Sequence, residues 1–159
     1  MKWLGRKHEL AGDGHQLAST ELFRDLGARE LRIVDAFVQE RSFLAGEVIF
    51  DEGEEGQALY VVASGKVAIC LPGRFETPLA ELTPGSFFGE LGLLDDSPRS
   101  AQARALEPVT LIVLSRSDFE RLMESHARIA SRIALQLARH IGRRLRQMVA
   151  ASPIGKSLS

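Results

Sequence analysis

The sequence predicts a mainly β fold with flanking helices, a compact jelly-roll-like β-roll of about eight short strands followed by a long C-terminal helix. Three observations carry this. From residue 42 onward, short β-branched and aromatic runs are broken every few residues by glycine or proline. Val67, Ile69 and Leu71 alternate with Ala68 and Cys70, and Val109, Leu111 and Val113 alternate again, the period of a strand. Ile129, Ile133, Leu137, Ile141 and Leu145 then recur every four residues, which is a helical period.

A chain of 159 residues suits one domain with a real core. The expected division is an N-terminal extension over 1–18, a folded unit over 19–150 and a flexible tail over 151–159. Within the unit, helices are expected over 19–40, the roll over 42–115 and C-terminal helices over 117–149. With 45% apolar and 26% charged residues the composition is that of a globular protein and excludes a disordered or fibrous chain. A formal charge of -1 gives no global attraction to nucleic acid or anionic lipid, so any partner is recognised locally. The one cysteine, Cys70, has no partner for an intrachain disulfide and reads as core filler. Apolar runs are too short for a transmembrane helix and the start lacks the apolar region of a secretory signal, so a cytoplasmic location is expected.

Taken in order, "MKWLGRKHEL" reads as a loosely docked terminus, or alternatively as an amphipathic segment with Trp3 and Leu4 beside Lys2, Arg6 and Lys7. Gly12 and Gly14 separate it from the next segment. "STELFRDLGARELRIVDAFVQE" offers Ser19 or Thr20 as an N-cap and an interruption at Gly27, which predicts two short helices. In the roll, glycines 46, 53, 56, 65, 73 and 85 fall between the runs, where turns use them. "DEGEEG" lacks the ordered ligand spacing of a calcium loop. At "LSRSDFERL" Ser117 and Glu120 match a capping box, so a helix is expected to start there.

The long helix, expected over 127–149, needs its stripe covered. Part of it suits the β domain, and the remainder suits the same helix of a second copy, a homodimer. Arg139, His140, Arg143, Arg144 and Arg146 near its end suit the helix dipole and read mostly as a solvated face. The tail "AASPIGKSLS" is too short for a helix-turn-helix module, so DNA binding by this chain is not expected. No catalytic or metal site is expected either. His8, His15, His126 and His140 lack metal-ligand spacing, and Cys70 has no neighbours that would activate a nucleophile.

The chemistry concentrates in "FFGELGLLDDSPRSAQARA", residues 87–105. "FFGELGLL" suits a tight turn into a short helix, with Gly89 and Gly92 permitting close approach and free backbone N–H groups available to an anion. Ionised Glu90 only accepts hydrogen bonds, so it repels phosphate and suits a hydroxyl. Arg99 has the opposite selectivity, and Ser100 with the Ser100 or Ala101 N–H can complete an anion nest behind Pro98. A ligand meeting both ends carries a hydroxyl beside a phosphate, as a ribose phosphate does. Read from the residues alone, the pattern also fits a surface turn closed by an ordinary salt bridge.

At these residues the chain resembles the cyclic nucleotide-binding domain family, which includes catabolite-activator-like regulators, kinase regulatory subunits and nucleotide-gated channels. "FGELGLLDDSPRSAQARA" is similar to its phosphate-binding cassette, "AGEVIFDEGEEGQALYVVASGKVAI" to its early roll strands, and "LTPGSFFGE" to the approach between them. The resemblance covers about residues 19–148. It implies that Glu90 and the Gly89 backbone, with Leu91 beside them, hold the ribose 2′-hydroxyl. Arg99, Ser100 and the Ala101 N–H would take the cyclic phosphate. It also implies a long helix that reports occupancy to an effector and bears the base contact, for which Arg144 is the candidate among Arg143, Arg144 and Leu145. The DNA-reading and effector regions of larger members are missing from this sequence, which reads as a lone sensor or an excised regulatory domain. The implied ligand is cAMP or cGMP, with cAMP favoured. The alternatives are a cyclic dinucleotide receptor and a dimerisation scaffold of the same fold that no longer uses a nucleotide. Asp95 and Asp96 are expected to form a solvent-facing turn.

Overall fold

The computed structural model describes residues 15–152. The readings of "MKWLGRKHEL", of Gly12 and Gly14 and of the tail beyond Ser152 fall outside the described residues. The described chain runs α1 (His15–Ala18), a 3-10 turn (Glu21–Phe23), α2 (Ala28–Asp35), β1 (Gln39–Phe43), β2 (Val48–Phe50), β3 (Ala58–Ser64), β4 (Val67–Cys70), β5 (Ala80–Leu82) and β6 (Phe87–Phe88). A second 3-10 turn (Glu90–Leu93) leads to β7 (Gln102–Ala105), β8 (Val109–Ser115), α3 (Arg116–Ser125) and α4 (Ala127–Ala151).

The strands form two antiparallel sheets of four, in the orders β1-β8-β3-β6 and β2-β7-β4-β5. Strand alternation builds two cores. Tyr60 and Val62 of β3 join Phe50, Val67, Phe88, Ala103 and Leu111, so this core draws on both sheets. Leu59 and Val61 of the same strand turn the other way and meet Leu22, Phe23, Phe119, Ile129, Ile133 and Leu137 from the helices. Cys70 is buried in β4, consistent with a filler. Fully burying one such leucine or valine stabilises the fold by roughly 1.5–3 kcal/mol.

Three local expectations are corrected. β1 begins at Gln39, inside the segment expected to be helical, because Gln39–Phe43 completes its backbone hydrogen bonding on β8, with Gln39 opposite Val113 and Phe43 opposite Val109. The Thr20 hydroxyl donates to the Leu17 carbonyl at 2.7 Å and caps nothing ahead of it. The N-cap of α2 is Gly27, whose N–H donates to the Glu30 carboxylate at 3.2 Å. The cap of helix α3 lies two residues before the expected Ser117: β8 runs directly into the helix, and Ser115 Oγ accepts from the Asp118 N–H at 3.1 Å.

The long helix carries three different faces. Its apolar stripe is buried at Ile129, Ile133 and Leu137, half-buried at Ile141 and exposed at Leu145. A second row faces the N-terminal helices: Arg132 pairs with Glu30 at 2.8 Å, Gln136 bonds Asp25, Arg139 lies 3.8 Å from Asp25, and Arg143 pairs with Glu21. Within the basic cluster Arg139, Arg143, Arg144 and Arg146 are exposed, in keeping with a mostly solvated face, but Arg139 and Arg143 also meet acids of the N-terminal segment. The third face is directed at the turn that follows β6.

Candidate functional site

Gly89 closes β6 with φ of 72°, the left-handed region that a side chain would strain, and turns the chain into the 3-10 turn Glu90–Leu93. The sharp reversal brings Glu90 inward, to 6% exposure, while Leu91 points out. Pro98 then leads into Arg99, whose own backbone is pinned on both sides. Its N–H donates to the Glu54 carbonyl at 2.9 Å and its carbonyl accepts from the Gly53 N–H at 2.8 Å.

The Arg99 side chain is 8% exposed. Nη1 donates to the Gly89 carbonyl at 3.0 Å and Nη2 to the Ala58 carbonyl at 2.8 Å. Its guanidinium lies 4.3 Å from the Phe50 ring centroid and 5.8 Å from that of Tyr60. Nε is buried without a hydrogen-bond partner. Burial pushes the guanidinium below its ordinary pKa, while Tyr60, Glu90 and Glu54 push it back up. Among the described residues Arg99 forms no ion pair with a carboxylate, so the ordinary salt bridge to Glu90 that the residues alone allowed is not formed. Buried, charged and bonded only to neutral carbonyls, Arg99 is electrostatically suited to an anion.

That posture depends on Gly56. A Cβ there would lie 2.1 Å from Arg99 Nε, so the guanidinium packs directly on the Gly56 backbone. Ser100 is exposed and Ala101 half-buried immediately beyond, at the mouth of the same turn.

Glu90 meets the third face of α4. Arg144 Nη1 donates to Glu90 Oε1 at 2.9 Å, and His140 Nε2 lies 3.9 Å from the same oxygen. The His140 ring packs on Phe87 of β6, with centroids 4.3 Å apart. Burial lowers the pKa of His140, Glu90 raises it and Arg144 lowers it further. Arg144, read from sequence as a base contact, is here the partner of the buried carboxylate.

Direct contacts thus join Gly89, Glu90, Arg99 and Arg144 at one turn and the helix over it, whereas Leu91 points outward and Ser100 and Ala101 simply follow Arg99 in the chain. Asp95 and Asp96 are exposed, but Asp96 is not a free solvent turn: it pairs with Arg116. Sequence reasoning missed Gly56, the Ala58 carbonyl, His140 and Arg116 as parts of this neighbourhood. The glycine in "DEGEEG" was a turn signal, and nothing in "LSRSDFERL" distinguished Arg116 from a surface charge. Among the described residues no group of histidines, cysteines and acids is arranged to hold a metal ion, and no helix is long and apolar enough to cross a membrane.

The chain is similar to known proteins. The family model for the cyclic nucleotide-binding domain matches residues 40–126. The Cyclic AMP receptor protein of Thermus thermophilus is 39% identical over 127 residues, covering 79% of this chain and 59% of that protein. The cyclic nucleotide-gated potassium channel mll3241 of Mesorhizobium japonicum is 34% identical over 125 residues, covering 79% of this chain and 34% of that one. Among solved structures, the Thermus thermophilus Catabolite Activator Protein superposes with a TM-score of 0.72 at 40% identity, covering 81% of this chain and 60% of that one. The chain thus spans between about a third and three fifths of these relatives.

Proposed function

The chain belongs to the cyclic nucleotide-binding domain family, and from that premise we propose that it is a regulatory sensor that binds cAMP and transmits occupancy through α4. The observation that carries the reading is Arg99: a guanidinium 8% exposed, with a buried unpartnered Nε and, among the described residues, no carboxylate in salt-bridge contact. Leaving such a charge buried is costly unless an anion meets it. Arg99, the Ser100 hydroxyl and the Ala101 N–H take the cyclic phosphate. Glu90 accepts from the ribose 2′-hydroxyl beside the Gly89 backbone, and Leu91 borders that end. Arg144, already on Glu90, closes the sugar side and faces the base. No bond is made or broken, and the chain is read as a binding module rather than an enzyme.

The preference for cAMP rests on two points. Ser100 is compatible with an adenine nucleotide, and the Thermus relative is named a Cyclic AMP receptor protein. Output follows from differential affinity. A ligand lying between the cassette and α4 favours the position of α4 in which Arg144 and His140 reach Glu90, and it shifts the helix population accordingly. Leu135, Ala138, Leu145 and Val149, which are exposed, and Gly142, which is half-buried, follow the alternating three- and four-residue steps of a helix seam. A second copy of α4 is the occupant that suits it, its small residues Ala138 and Gly142 allowing close approach. An effector protein or domain then reads the helix.

Isothermal titration of the folded chain with cAMP and with cGMP tests the reading. Saturable binding of cAMP, tighter than cGMP and lost in Arg99→Ala, is the expected result. No heat and no competition by either nucleotide at millimolar concentration would leave the non-binding scaffold, and tighter cGMP binding would reverse the base assignment.

A further inference from the structure

Arg116 is the first residue of α3, yet its side chain turns back from the helix onto the 3-10 turn that carries Glu90. Nη2 donates to the Gly92 carbonyl at 3.0 Å and to the Asp95 carbonyl, and Nη1 meets the Asp96 carboxylate. Its backbone N–H donates to the Gln57 carbonyl at 2.8 Å, and Gln57 Nε2 approaches Asp96 at 3.5 Å. The Arg116 side chain is largely buried, with an Nε that is fully enclosed and unpartnered.

The turn is therefore gripped at both ends by guanidinium groups. Arg99 holds its entrance through the Gly89 carbonyl, and Arg116 holds its exit through the Gly92 and Asp95 carbonyls. A four-residue 3-10 turn cannot sustain itself, because its last carbonyls have no internal partners and its hydrogen-bond geometry is poor. A cation at that end satisfies the carbonyls and suits the local dipole. The Asp96 contact adds little, since that carboxylate is 84% exposed and screened by water. The work falls on the carbonyl contacts, and these need the planar fork of arginine, which lysine does not supply.

We propose that Arg116 is a positioning residue for nucleotide recognition: without touching the ligand, it holds the turn Gly89–Asp96 in the shape that presents Glu90, and it ties that turn to the start of α3. The inference rests on the cyclic-nucleotide reading above. Loss of the fork lets the turn wander, so ligand binding must then reorder it.

The experiment compares the parent chain with Arg116→Met, Arg116→Lys and Asp96→Asn. It uses titration with cAMP and cGMP, thermal melts, and hydrogen exchange of peptides spanning 89–97 with and without nucleotide. Folded Arg116→Met is expected to bind about 10- to 100-fold more weakly. Its amides over 89–97 should exchange faster without nucleotide and regain protection at saturation. Arg116→Lys, which retains charge and stem, should lose about 3- to 10-fold, and Asp96→Asn less than about 3-fold. A purely structural role would lower the melting temperature and leave the affinity of the folded fraction unchanged. Parent-like affinity in folded Arg116→Met overturns the proposal; if that variant does not fold, parent-like affinity in Arg116→Lys overturns it. A parent that binds neither nucleotide overturns the family-based reading and this proposal with it, whereas a binding parent with indifferent Arg116 variants removes this proposal alone.

Discussion

Arg144 and Glu90, separated by 54 positions in the chain, meet through a hydrogen bond of 2.9 Å between Nη1 and Oε1. The arginine head is more than half exposed and the carboxylate is almost wholly buried. The contact therefore joins a solvent-exposed side chain of α4 to the least accessible acid of the candidate site. A double-mutant cycle measures whether the two residues act together. Arg144→Ala is expected to weaken cAMP binding about 3- to 10-fold and Glu90→Gln by more, with the double variant no worse than Glu90→Gln alone. Strict additivity in calorimetric titration would show that Arg144 acts apart from Glu90.

Removal of the buried guanidinium has the largest expected effect. Arg99→Ala should reduce affinity by about 2 to 5 kcal/mol, roughly 30- to 5,000-fold in Kd. Arg99→Lys should recover only part of this, because a point charge cannot donate to Gly89 and Ala58 while also meeting a phosphate. Equal affinities in Arg99→Ala and the parent would dismiss the phosphate assignment.

Gly56→Ala separates space from backbone conformation. Gly56 is not in the positive-φ set, so alanine is tolerated by the chain there, but its Cβ would collide with Arg99 Nε. The flexible guanidinium yields at small cost to stability. The expected signature is a melting temperature within a few degrees of the parent and cAMP affinity reduced about 10-fold or more, since loss of a charge-assisted contact is worth about 1.5–3 kcal/mol.

His140 gives the fold a pH dependence of definite sign. Its folded pKa lies below the ordinary 6.5, with burial as the main cause. The unfolded chain therefore binds a proton first as the pH falls. Stability is fully retained above about 6.5 and declines as the pH passes below that value toward the folded pKa. Replacing His140 with phenylalanine, which can keep the packing on Phe87, should flatten this part of a melting-temperature profile. An unchanged slope would exclude His140 as its source.

For the exposed seam of α4, Leu145 is 59% exposed and central. Sedimentation at tens of micromolar is expected to find a dimer for the parent and a monomer for Leu145→Glu, with cAMP still bound by each. A monomeric parent, with and without cAMP, would remove the second copy as the occupant.

The roll was legible because strand alternation is a local signal. Val67, Ile69 and their neighbours declare a two-residue period without reference to anything distant. The cassette residues were singled out through family resemblance, which implied that Glu90 and Arg99 meet separate parts of a ligand. What stayed hidden was the choice of partner. Periodicity says that Arg139, Arg143 and Arg144 lie on a helix but not that two of them meet Asp25 and Glu21 while the third meets Glu90. That choice depends on how elements far apart in sequence pack. Arg116 was hidden for the same reason, and β1 because its strand character comes from pairing with β8 rather than from its own composition.

Gly142 sits in α4 just beyond the buried part of its apolar stripe and just before Arg143 and Arg144, where it has no side chain to stiffen the helix. Glycine weakens a helix interior by roughly 0.5–1 kcal/mol relative to alanine. Beyond it the helix continues to Ala151, about 13 Å at 1.5 Å per residue. On the proposed reading this segment would serve as a lever arm, with its fulcrum close to Arg144 and its load at Met148 and Val149. Each 10° of tilt at the fulcrum sweeps the far end through roughly 2 Å, from the same helical rise. If α4 reports occupancy as proposed, a change of one hydrogen bond at a buried carboxylate would be geared up to about half a side-chain width at the far end of the helix.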